Sequence, residues 1–140
     1  MTAAYRLEVR AATAAERTAA GACLTEHRRE ARAAELTYDA FSVLALCEGG
    51  VVGGVIGQVF WNWLYAELVW VEKPFRGCGI GRAVMQRAEE RARELGLAGI
   101  YLWTQSWQAP GFYSKLGFES FVVFENCPPG HQRLGFRKYL

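Results

Sequence analysis

Val69-Trp70-Val71-Glu72-Lys73-Pro74-Phe75-Arg76-Gly77-Cys78-Gly79-Ile80-Gly81-Arg82 reads as an apolar strand, a glycine loop and the first turn of a helix. Glycines at 77, 79 and 81 remove the side chains that would hold a ligand away from the backbone. The amides so exposed, with a helix N-terminus behind them, make an anion cradle carrying roughly half a positive charge. The expected occupant carries phosphates.

Outward from the loop, Ile80, Val84, Ala88, Ala92 and Leu95 keep one helix face apolar, Glu89 and Arg93 pair at i,i+4, and Gly96 stops the helix. Upstream, Phe41–Cys47 and Val51–Trp61 form a hairpin about Glu48-Gly49-Gly50, and Tyr65–Val71 is the next strand. Gly53, Gly54 and Gly57 suggest a bulge or a close neighbour. Tyr5, Leu7 and Val9 alternate with Arg6, Glu8 and Arg10, the pattern of a half-buried strand. Thr13 and Glu16 form a capping box opening an Ala-rich helix that reaches about Leu36, with a break near Gly21. The charged run Glu26–Glu30 is its solvated face. Downstream come a strand over Ile100–Thr104, a short helix from Pro110 to Leu116, and strands over Phe118–Glu125 and Gln132–Tyr139. The order β-α-β-β-β-α-β-α-β-β predicts a single α+β domain over residues 1–140. Its mixed, mostly antiparallel sheet of about seven strands has flanking helices and a central βαβ crossover at the glycine loop.

Composition narrows the partners. Hydrophobic residues make up 51% and charged residues 21%, ordinary for a globular chain of 140 residues. A net charge of +2, with both signs interspersed, gives no footprint for nucleic acid. No apolar run approaches the ~20 residues of a membrane span. The N-terminus has no charged-then-apolar signal pattern. Cys23, Cys47, Cys78 and Cys127 are scattered, without CxxC or a His at ligand spacing. The expectation is therefore a cytoplasmic protein with reduced thiols, no metal site, and no nucleic-acid or membrane partner.

Three kinds of phosphate loop compete for the glycines. No Lys-Ser or Lys-Thr follows them, as GxxxxGK[ST] requires. The spacing is GxGxG after a meander, not GxGxxG after the first strand of a parallel sheet. The third fits: Arg76-x-x-Gly79-x-Gly81 resembles the Arg/Gln-x-x-Gly-x-Gly/Ala signature of the GCN5-related N-acetyltransferase (GNAT) superfamily. Ala109-Pro110-Gly111-Phe112-Tyr113-Ser114-Lys115-Leu116-Gly117-Phe118 resembles its Ala-x-x-Phe-Tyr-x-Lys-Leu-Gly-Phe segment. Motif separation and strand order agree, so the resemblance covers nearly the whole chain. Pro128-Pro129-Gly130-His131 before the last strand is similar to small bacterial-type members.

The resemblance implies acetyl transfer from acetyl-coenzyme A to a primary amine by direct attack in a ternary complex. The amides of Arg76, Gly77, Cys78, Gly79, Ile80 and Gly81 would bind the pyrophosphate. The backbone of Val69, Trp70 and Val71 would pair with the pantetheine arm and meet the oxyanion, while the two valines also pack as sheet core. The Arg76 and Arg82 side chains either reach phosphates or are solvated. Tyr113 matches the tyrosine that protonates the departing thiolate, or is a packing residue. The family's Asn seven residues earlier is Ser106 here, whose hydroxyl can bond similarly but leaves that contact in question.

Glu67 is the general-base candidate, against an ordinary polar strand residue or a structural ion pair. One well-known family placement falls instead on Tyr65, on the same strand face. His27 and His131 read as structural and Cys78 as a tolerated small residue. Trp61, Trp63 and Trp107, near element ends, either wall an acceptor pocket or form a homodimer surface. A small polar amine is the favoured acceptor. A protein or peptide amine is the alternative within the family, and a non-catalytic CoA-binding regulatory module the alternative outside it.

Overall fold

The computed structural model describes residues 3–140. The chain forms two compact units, the first running through Glu35 and the second spanning Leu36–Leu140. In the first, α1 (Ala14–Glu30) opens on the expected capping box: Glu16 N donates to Thr13 Oγ1 at 3.1 Å and Thr13 N to Glu16 Oε1 at 2.9 Å. Arg10 braces the same carboxylate at 2.8 Å. Gly21 does not interrupt the helix, which ends at Glu30, short of the expected Leu36. Arg32, at φ 55°, has left the helical region.

The expected strand over Tyr5–Arg10 is not formed. Tyr5, Leu7 and Val9 are 85%, 87% and 105% exposed, and the segment joins no ladder among the described residues. Alternation describes a strand able to bury one face, but the ladder itself needs a hydrogen-bonding neighbour. The sheet accordingly has six strands, about one fewer than expected.

The second unit is built on that sheet: β1 (Tyr38–Cys47), β2 (Gly50–Phe60), β3 (Trp63–Val71), β4 (Gly99–Gln105), β5 (Glu119–Glu125) and β6 (Gln132–Tyr139), in the order β1-β2-β3-β4-β6-β5. Every pairing is antiparallel except β3 with β4. That parallel pair is joined through a 3-10 turn (Lys73–Phe75), the glycine loop and α2 (Ile80–Glu94), the crossover expected from the sequence. α2 buries Val84, Met85, Ala88 and Ala92, and its apolar stripe joins a core of Val55, Leu64, Ile100 and Leu102. α3 (Gly111–Lys115) adds Tyr113, which packs against Phe118 and Phe136. Lys138 ties these elements together, donating to Glu89 of α2 at 2.9 Å and to the Leu116 carbonyl at 2.8 Å.

The other sheet face is aromatic. Tyr65 stacks on Tyr101 at 5.0 Å, and Trp103 on Phe124 at 5.7 Å. Gly135 leaves room there, since a Cβ would lie 2.8 Å from the Phe121 ring. Among the described residues no helix is long and apolar enough to cross a membrane, and the four cysteines are free thiols.

Candidate active site

The site exists because two parallel strands part company. β3 pairs with β2 as far as Val71, but with β4 only where Trp63–Tyr65 faces Gly99–Tyr101. From Ala66 to Val71 one edge of β3 has no strand partner, leaving backbone N–H and C=O groups ahead of the Val71 carbonyl unmatched on that side. The register also shifts there: Ile56 faces Leu68 and Gly57 faces Ala66, so Glu67 is the extra residue of a bulge. Gly57 is required opposite it, because a Cβ would collide with the Tyr65 carbonyl.

Two cavities flank the opening. The first, about 490 Å³, is lined by Val69, Trp70, Val71, Arg76, Gly77, Gly79, Ile80, Gly81 and Arg82, together with Phe75, Gln108, Ala109, Phe112 and Tyr113. The loop has the geometry its glycines suggest: Gly77 and Gly79 sit at φ 77° and 85°, and a Cβ on either would meet open space. The third glycine acts by closeness, since a Cβ on Gly81 would lie 3.3 Å from Phe112 Cζ. The first helical bond runs from Ala83 N to Gly79 O at 3.0 Å, so the amides before it have no partner within the helix. Arg76 Nε holds the loop against the end of β3 by donating to the Val71 carbonyl at 2.9 Å.

The second cavity, about 330 Å³, is lined by Tyr65, Glu67, Leu68, Trp103, Thr104, Gln105 and Arg133 among others. It shares Val69, Gln108 and Tyr113 with the first. Tyr113 is only 7% exposed. Its hydroxyl has no hydrogen-bond partner among the described residues, and burial pushes the phenol up to about 12.

Of the residues singled out from the sequence, Cys78 and Ser106 do not line either cavity. The Cys78 thiol instead approaches the Arg76 carbonyl at 3.7 Å. Ser106 sits where β4 ends, with Oγ accepting from Gln132 N at 3.1 Å and 3.4 Å from His131 Nδ1, so its hydroxyl is engaged in joining β4 to β6. His131 packs edge-on against Trp107 at 4.9 Å. Trp61, Trp63 and Trp107 line neither cavity; Trp63 packs on Tyr101 and Tyr139. The aromatic residues lining the second cavity are Tyr65, Trp103 and Tyr113. Gln108, Gln105 and Arg133 were not anticipated. Gln108 directly precedes the Ala109–Phe118 motif, but the other two reach the cavity only through strand register.

A sequence model described as the Acetyltransferase (GNAT) family matches residues 3–118. The chain belongs to this family. A blasticidin-S acetyltransferase of Streptomyces morookaense is 42% identical over 83 residues, 59% of this chain and 61% of that protein. An acetyltransferase of Agrobacterium fabrum is 37% identical over 71 residues, 51% of this chain and 52% of its own. The GNAT chain thus aligns with about half to three-fifths of the length of these curated relatives. Over nearly its whole length it superimposes on the crystal structure of an acetyltransferase from Bacillus cereus, with a TM-score of 0.85 and 28% identity. That match covers 96% of this chain and 98% of the other.

Proposed function

We propose that this protein transfers the acetyl group of acetyl-CoA to the primary amine of a small molecule, by direct attack within a ternary complex. The observation that carries the reading is the pair of cavities meeting at Val69, Gln108 and Tyr113, one backed by the glycine loop and the other open to Glu67. The loop amides and the N-terminus of α2 suit a pyrophosphate. The unpaired edge of β3 suits the amide-rich pantetheine arm, which would lie along it as an extra strand and bring the thioester to Tyr113. The antibiotic in the name of the Streptomyces relative agrees with a small-molecule acceptor.

Glu67 takes a proton from the incoming ammonium, and the freed nitrogen lone pair attacks the thioester carbon. A β3 amide meets the oxyanion as it forms. Collapse breaks the C–S bond, and the sulfur gains a proton from Tyr113. A phenol near 12 is about 3.5 units weaker as an acid than a thiol near 8.5, so leaving it as phenolate would cost roughly 4–5 kcal/mol. Tyr113 therefore works as a relay, replacing the proton it gives to sulfur with one shed by the amide nitrogen. The products are an N-acetylated amine and free CoA. Amine-dependent release of CoA thiol from acetyl-CoA tests the reading; CoA binding without release on a broad amine panel would refute it.

A further inference from the structure

Resting on that reading of the second cavity, we propose that the acceptor carries a carboxylate as well as its amine, and that Arg133 is the residue that selects it. Glu67, on the β3 bulge, and Arg133, on β6, line the same cavity from strands on either side of β4. Neither side chain makes an ion pair or hydrogen bond among the described residues, although a partner of opposite sign lines the same space. The cavity therefore presents one anion and one cation, neither of them ion-paired among the described residues. An acceptor bearing both charges satisfies each of them, whereas a simple amine would leave the guanidinium unanswered.

Arg133 is also held in place. Its guanidinium carbon lies 4.8 Å over the Trp103 ring, and that ring is stacked on Phe124 and flanked by Phe121. A guanidinium lying on an aromatic face keeps its N–H edge available, and that edge matches a carboxylate in a two-pronged hydrogen bond. β4 and β6 set the position, because Arg133 faces Gln105 in the ladder. The wall thus pairs a carboxylate with a guanidinium. At about 330 Å³ the cavity suits an acceptor of amino-acid size or a charged portion of something larger.

The test uses acceptors matched except for charge: β-alanine, 4-aminobutyrate and 6-aminohexanoate, each against its amide, with kcat/KM measured by CoA release. The wild-type protein is expected to favour the acid at least tenfold in one or more pairs, mainly through KM. In Arg133→Met that ratio should fall towards one, and Arg133→Lys should recover part of it. A structural role for Arg133 would lower both rates and leave the ratio unchanged. Amides used as readily as acids, or a ratio unaltered in Arg133→Met, would overturn the proposal while leaving acetyl transfer standing. No turnover on any pair while other amines of the broad panel are acetylated would overturn this inference alone; bound CoA with no turnover on the whole panel would overturn the acetyltransferase reading and this inference with it.

Discussion

Replacing Gly79 separates backbone strain from charge at the phosphate cradle. Gly79 sits at φ 85° and an added Cβ would touch nothing within 4 Å. In Gly79→Ala the expected cost is therefore conformational alone, about 1–2 kcal/mol for an L-residue held in the left-handed region. In a domain of this size that lowers Tm by about 3–8 °C. Gly79→Glu adds a carboxylate beside the proposed pyrophosphate. Two unit charges 4 Å apart interact by about 1 kcal/mol in water and about 4 at an effective dielectric of 20. At this exposed loop an intermediate 2–3 kcal/mol applies, a roughly 30- to 150-fold weaker Kd. Calorimetric titration with CoA reads the affinity, and thermal melts show that both variants fold. The expectation is similar Tm for the two, with the large affinity loss confined to the Glu variant. A folded Gly79→Glu that binds CoA as tightly as wild type would refute the cradle.

Tyr113→Phe removes a hydroxyl with no partner among the described residues, so Tm should hold while kcat falls about 10²–10³-fold with CoA affinity kept; loss of CoA binding would contradict the relay role. With the phenol pushed up to about 12, Tyr113 stays protonated throughout the working range, so it should add no alkaline limb to the wild-type pH–rate profile below about pH 11. A limb near pH 9–10 that vanishes in Tyr113→Phe would sink that expectation. Glu67→Gln should lower kcat/KM about 10- to 100-fold with CoA affinity kept; an unchanged kcat/KM would remove Glu67 as the base. Lys138→Met breaks the bridge to Glu89 and Leu116, while Arg93 still pairs with Glu89 at 2.8 Å. It should cost about 1–2 kcal/mol, seen as a melt lowered by about 3–8 °C without change in CoA affinity.

Local chemistry decided what could be read in the chain. Gly77 and Gly79 advertise positive φ, and Ile80 to Ala92 advertise a helix face, because each signal lies within a few neighbouring residues. Tyr5–Arg10 misleads for the same reason: its alternation is local, but a ladder requires a partner that the sequence does not name. Arg133 and Gln105 were invisible because the β4–β6 register alone brings them together. Ser106 was legible as a departure from the family pattern. Its hydroxyl proved to be engaged with Gln132 across the same pair of strands, a contact that no spacing along the chain reveals.

The most direct test of the central claim is initial-rate kinetics with both substrates varied, CoA thiol release being measured alongside the acetylated amine. The two-cavity site predicts equal amounts of free CoA and N-acetyl product, with intersecting double-reciprocal lines, as both substrates must be bound together. CoA that binds tightly but is never released in an amine-dependent way, or parallel lines with an isolable acetylated protein, would contradict it.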